Sequence, residues 1–241
     1  MKSGSAILLA VALALVTPGV ANATGTIVGG HAATQTYSFM VSLQNSNGHF
    51  CGASLIRPNW VVTARHCVQS TRATSVQARV GSTSVNQAGT VTAGSRIITH
   101  EKADIALMQL AQPVSEQPIP IATSSGRSGT PTRLLGWGQT CPARACGQPP
   151  TTLQELDTRL VADSGCEDID GRTEICTDNP DGRSGACYGD SGGPQVTRVS
   201  GRWELIGATS RAGNSSENCA TGPSIYTDVP ALNGWIKAQI G

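Results

Sequence analysis

Between Met40 and Val229 the apolar residues fall in short, β-branched runs: Met40-Val41-Ser42-Leu43, Leu55-Ile56, Trp60-Val61-Val62, Val76-Gln77-Ala78-Arg79-Val80 and Ile97-Ile98. Gly, Ser, Asn and Pro stand between them. Runs of this length suit strands, and the residues between them supply turns. The texture returns in Arg133-Leu134-Leu135, then over 156–161, 195–199, 203–208 and 225–229. An all-β chain is predicted, folded as two successive antiparallel β-barrels, with segment 111–131, rich in Pro, Ser, Gly and Thr, as the crossing. Only the tail departs from this pattern. Leu232, Trp235, Ile236 and Ile240 recur at helical spacing after Pro230, which predicts a C-terminal helix.

Residues 1–23 carry Lys2, an apolar stretch from Ala6 to Val16 and then Ala21-Asn22-Ala23, the pattern of a cleaved secretory signal. The apolar run is shorter than the roughly 20 residues of a spanning helix, which argues against an anchor. Cleavage after Ala23 leaves residues 24–26 as a short pro-segment ahead of a domain at 27–241. The chain has 17 Lys and Arg against 16 Asp and Glu, and setting aside Lys2 makes the signs equal. Neither a nucleic-acid footprint nor a membrane-seeking basic patch is expected. All 8 cysteines lie beyond the leader, an even number that suits an oxidising compartment. Their spacing does not fix the pairing. No close Cys/His pairs repeat at metal-ligand spacing, so no zinc site or other metal is expected.

The chemistry concentrates in Gly189-Asp190-Ser191-Gly192-Gly193-Pro194, where small neighbours surround one serine. A serine hydroxyl is a poor nucleophile at neutral pH and needs a base within reach, with a third group to orient that base. His66 ends the apolar run Trp60-Val61-Val62-Thr63-Ala64-Arg65-His66 and is the candidate base. Asp104, in Ala103-Asp104-Ile105-Ala106-Leu107, is the candidate orienter. Each residue alone has an ordinary structural explanation. The order His, Asp, Ser carries the information.

With Ile27-Val28-Gly29-Gly30, Phe50-Cys51-Gly52-Ala53-Ser54-Leu55-Ile56, Gly136-Trp137-Gly138 and Pro223-Ser224-Ile225-Tyr226, these segments resemble the chymotrypsin-like (trypsin-like) serine endopeptidases over nearly the whole chain beyond the leader. The resemblance implies two six-stranded antiparallel barrels with the active site in the cleft between them. It implies catalysis by His66, Asp104 and Ser191, an oxyanion hole from the N–H groups of Gly189 and Ser191, and support of Asp104 by Ser210. It further implies that a new amino terminus at Ile27 pairs with Asp190, and that Cys51 joins Cys67, Cys166 joins Cys176 and Cys187 joins Cys219. Cys141 and Cys146 are left to close a local loop.

The base of the substrate pocket, six residues before the nucleophile, is aspartate in relatives that choose Arg or Lys; here it is Gly185. With Ala186, Ala212 on a wall, Ser224 opposite and Tyr188 at the rim, the expected pocket is uncharged and suited to apolar residues. Asp181 is the reservation, because a shifted loop could bring it near. Arg211 and Arg65 depart from the family pattern. The resemblance implies a secreted, monomeric enzyme without a cofactor, acting on protein or peptide substrates and open to proteinaceous inhibitors. The rival reading is a protease-like binding protein that has lost catalysis.

Overall fold

The computed structural model describes Met1 and residues 27–241; the expected signal and pro-segment lie outside the described residues. After a short β1 (His31–Ala32), six strands follow: β2 (Met40–Asn45), β3 (Gly48–Arg57), β4 (Trp60–Thr63), β5 (Gln77–Val80), β6 (Thr90–Thr99) and β7 (Ala106–Leu110). They close as an antiparallel barrel in the order β2-β3-β4-β7-β6-β5. A one-turn helix α1 (Arg65–Val68) leaves the end of β4. The second set is β8 (Pro131–Gly136), β9 (Gln154–Val161), β10 (Glu174–Thr177), β11 (Pro194–Val199), β12 (Arg202–Ala212) and β13 (Ser224–Asp228). Its order is β9-β10-β13-β12-β11-β8, and pairing of β8 with β9 closes the ring, while β1 adds to β9 from outside. Closure leaves each barrel without a free edge. The expected pair of six-stranded barrels is therefore present, and α2 (Asn233–Ile240) ends the chain.

Packing explains the first register. Val61 faces Met108 and Val62 faces Leu107 across β4 and β7, and all four side chains are fully buried. Sliding β4 by one residue would exchange the faces of every side chain on it. The inter-barrel contact is also apolar, since Leu135, Trp137, Leu153, Val196 and Leu205 join the first barrel's core cluster. The segment entering the fold is fixed by a buried carboxylate: Glu155 accepts from Tyr37 Oη at 2.6 Å, Thr34 Oγ1 at 2.9 Å and Arg133 Nη1 at 2.9 Å. A buried charge needs such partners to be tolerated. One further irregularity matters for chemistry. Thr209 faces Tyr226 and Arg211 faces Ile225, so Ser210 is the extra residue of a β-bulge between β12 and β13. A bulge redirects its side chain out of the sheet's alternation.

Candidate active site

His66 stands in α1, immediately beyond β4, and its neighbour Cys67 is bonded to Cys51 on β3. Asp104 lies in the β6–β7 connection, where its carbonyl accepts from Thr227 Oγ1 of the second barrel at 2.8 Å. The carboxylate grips His66 at two points: Nδ1 at 2.8 Å from Oδ2, and the backbone N–H donating to Oδ1 at 2.9 Å. The bulged Ser210 donates to Oδ2 at 2.7 Å. Burial pushes the Asp104 carboxyl upward, but these bonds, from the His66 side chain first, outweigh it and hold the group below its ordinary value. An ionised Asp104 fixes Nδ1 as the protonated nitrogen and leaves Nε2 free to accept a proton.

Ser191 reaches the same region from the second barrel. Its carbonyl accepts from Gly52 N–H on β3 at 2.8 Å, one residue from the Cys51 that tethers Cys67. Gly192 adopts φ +73°, and a Cβ there would lie 2.1 Å from Thr63 Oγ1, so glycine is required for the two barrels to meet at this point. Among the described residues Ser191 Oγ makes no hydrogen bond, His66 included, a looseness common before substrate closes such a site. Gly189 has φ +100° and turns its carbonyl away, onto His49.

His49 is a residue that sequence reasoning overlooked. Its Nε2 lies 3.0 Å from Gly189 O and its Nδ1 2.8 Å from Ser42 Oγ, while its ring meets Trp137 edge-on at 5.5 Å. The only signal was the β2–β3 register, which places Ser42 and His49 near each other across one hairpin. Desolvation pushes His49 down to about 4, against the raising effect of its bond to Gly189. An unfolded histidine takes up a proton near pH ~6.5, which the folded chain refuses until pH about 4. Folded stability should therefore fall as pH drops through that window, by about 2 kcal/mol after allowance for the ring's partial exposure. Urea unfolding of wild type and His49→Asn between these pH values tests this: the stability difference between the two should shrink as pH falls, and equal slopes would reject the assignment.

Asp190 is buried directly behind the serine. Its Oδ1 accepts from Gly138 N–H and its Oδ2 from Cys187 N–H, each at 2.8 Å. A Cβ on Gly136 or Gly138 would lie 1.9 Å and 2.4 Å from this carboxylate, which explains both glycines of the Gly-Trp-Gly segment. Desolvation pushes Asp190 up to about 7 despite the two backbone donors, and no cation is among the causes of its shift. Ile27 is buried in the core of the second barrel, and Val28 forms a bridge to Gly185.

The cavity beside Ser191 is lined by Ala186, Tyr188, Ser210, Ala212 and Ser224, but not by Gly185, which is buried against Ala220. Glu217 and Arg211 also line it. Asp181 lies in a different surface depression, with Asp157 and Asp178. Arg211 is held by Glu174 and by the Asp168 carbonyl, and Arg65 donates to the carbonyls of His100 and Glu101, which fastens the loop leading to Asp104. Four disulfides are formed: Cys51–Cys67, Cys141–Cys146, Cys166–Cys176 and Cys187–Cys219. Cys51, Cys67 and His66 cluster at metal-ligand range, but disulfide sulfurs offer no thiolate to an ion.

Residues 27–236 match the family model for trypsin. Similar curated proteins include a trypsin of Sarcophaga bullata, 34% identical with 88% of each chain covered, and trypsin theta of Drosophila erecta, 35% identical with 91% of this chain and 90% of the relative covered. Trypsin Blo t 3 of Blomia tropicalis is 33% identical, with 90% and 87% covered. Because the match runs from Ile27 into the terminal helix rather than over one motif, the chain belongs to the trypsin/chymotrypsin-like family of serine proteases.

Proposed function

We propose that this chain is a secreted endopeptidase that cuts peptide bonds through an acyl-enzyme on Ser191, preferentially after apolar residues. The observation that supports the catalytic reading is the two-point grip of Asp104 on His66, which engages Nδ1 and so assigns Nε2 the role of proton acceptor. Nε2 takes the hydroxyl proton as Oγ bonds to the substrate carbonyl carbon. The developing oxyanion is met by the N–H groups of Gly189 and Ser191, and one such donor is worth roughly 3 kcal/mol in the transition state. His66 then returns the proton to the departing amine, the C–N bond breaks, and water repeats the sequence to release the acid. Secretion is supported by the leader pattern and by the four disulfides.

The precursor needs a cut at Thr26–Ile27. The new ammonium enters beside Asp190, whose buried carboxylate accepts, among the described residues, from two backbone donors. The Val28–Gly185 bridge links that segment to Ala186, which lines the pocket.

The uncharged lining at Ala186, Ala212, Ala220 and Ser224, with Asp181 elsewhere, supports the apolar preference. One observation favours Arg or Lys instead: among the described residues Glu217 is the single acid lining the cavity, and the relatives' printed name is trypsin. Digestion of a diverse peptide library with mass-spectrometric readout separates the two. Cuts should follow apolar residues, whereas cuts concentrated after Arg and Lys would transfer the assignment to Glu217. Labelling by a fluorophosphonate, lost in Ser191→Ala, tests the enzyme against the binding-protein alternative; an unlabelled mature protein rejects catalysis.

A further inference from the structure

The connection between β8 and β9 holds a feature that the catalytic chemistry does not use. Cys141 and Cys146 close a small loop whose exposed tip carries Arg144. The loop is fastened to both ends of the disulfide that walls the pocket. Gln139 N–H donates to Tyr188 O at 2.8 Å and Cys219 N–H to Pro142 O at 3.1 Å. The Cys187 and Cys219 sulfurs lie 3.6 and 3.8 Å from Cys141 O.

The Arg144 guanidinium stands over the Tyr188 ring, 4.4 Å from its centroid. From the far side the Tyr188 hydroxyl donates to Glu217 O, so the ring lies between the two loops at the edge of the pocket. Arg211, the cation lining the pocket itself, is already engaged by Glu174. Among the described residues Arg144 has no ion pair and no hydrogen bond. Stacking on an aromatic face leaves a guanidinium's donor edge available for a carboxylate. The short disulfide loop limits the freedom lost when that contact forms.

We propose that Arg144 is a specificity-determining residue, selecting peptides that carry an Asp or Glu side chain flanking the residue that fills the pocket. This rests on the peptidase reading and names a substrate class for it. Glu217 lines the cavity itself, where its charge disfavours a second carboxylate, so the preference belongs to the Arg144 side.

The test uses processed enzyme, its active sites counted with a fluorophosphonate, and fluorogenic peptides that differ only by Glu or Gln at each position flanking the filled pocket. At one position wild type should favour Glu about fivefold in kcat/KM at low salt, the upper range for an exposed charge pair. The ratio should approach one in Arg144→Gln, and in wild type at about 1 M salt, where screening is nearly complete. Arg144→Lys should retain part of it. Equal ratios in wild type and Arg144→Gln, with turnover intact, would overturn the proposal alone; failure to cleave any peptide would remove the peptidase reading and this proposal with it.

Discussion

Asp104→Asn should lower kcat about ten-thousandfold while KM changes little, a magnitude carried over from serine proteases generally rather than derived from this geometry. Asp104 takes only acceptor roles in the site: Oδ2 faces His66 Nδ1 and Ser210 Oγ, and Oδ1 accepts the His66 amide. An asparagine has one acceptor oxygen and an NH2 that must point at a donor. If the oxygen keeps the His66 amide, the NH2 faces Nδ1 and Ser210. The ring then presents the wrong tautomer, with Nε2 already protonated and unable to take the serine proton. Ser191→Ala should be more severe, about a millionfold, because the nucleophile itself is absent. Steady-state kinetics on one peptide substrate checks both, and Asp104→Asn retaining a tenth of wild-type kcat would sink the orienting role.

Blocking the Ile27 amine, or replacing Asp190 with Asn in the processed enzyme, should cost about a thousandfold in kcat/KM, comparable to losing an oxyanion donor. Asp190 adjoins Ser191, and its carboxylate holds the amides of Cys187 and Gly138, so its charge state bears on the hole and on the pocket wall together. In the uncut chain this carboxyl is raised from 3.8 to about 7 by desolvation. A raised acid binds protons more tightly when folded. The Asp190 contribution to folded stability should therefore be largest below pH ~4 and fall by about 4 kcal/mol as pH climbs through about 7. His49 has the opposite slope over a similar range, so the two partly cancel in the wild-type precursor and only variants separate them. After processing, the ammonium's pKa should lie above its free value of ~8; its contribution is complete below that value and lost as pH rises through the raised one. Unfolding of a Ser191→Ala precursor with and without Asp190→Asn, from pH 4 to 8, measures the first effect. Activity with an acetylated Ile27 measures the second, and full activity there would end the switch.

Strand-length runs and the order His66, Asp104, Ser191 were legible because both are properties of the chain read in one direction. The strand texture pointed to two successive barrels, and six strands in each came only through resemblance. His49 was hidden, since nothing in Asn47-Gly48-His49-Phe50 shows that the ring will lie under the carbonyl of Gly189, 140 positions away. The pocket floor was partly misplaced. Gly185 is covered by Ala220, while Glu217 reaches the cavity from a loop whose path depends on the Cys187–Cys219 bond.

The residues alone determined a β-rich chain with a strand-compatible pattern and offered a candidate nucleophile segment, base and acid, because local periodicity and residue type carry that information. Tertiary structure decided that Ser210 bulges toward Asp104, that Gly136 and Gly138 yield space to Asp190, and that Tyr188 comes to lie beneath Arg144. Each of these depends on distant segments approaching within a few ångströms. Such approaches are fixed by barrel register and by the disulfides, which no stretch of sequence expresses on its own.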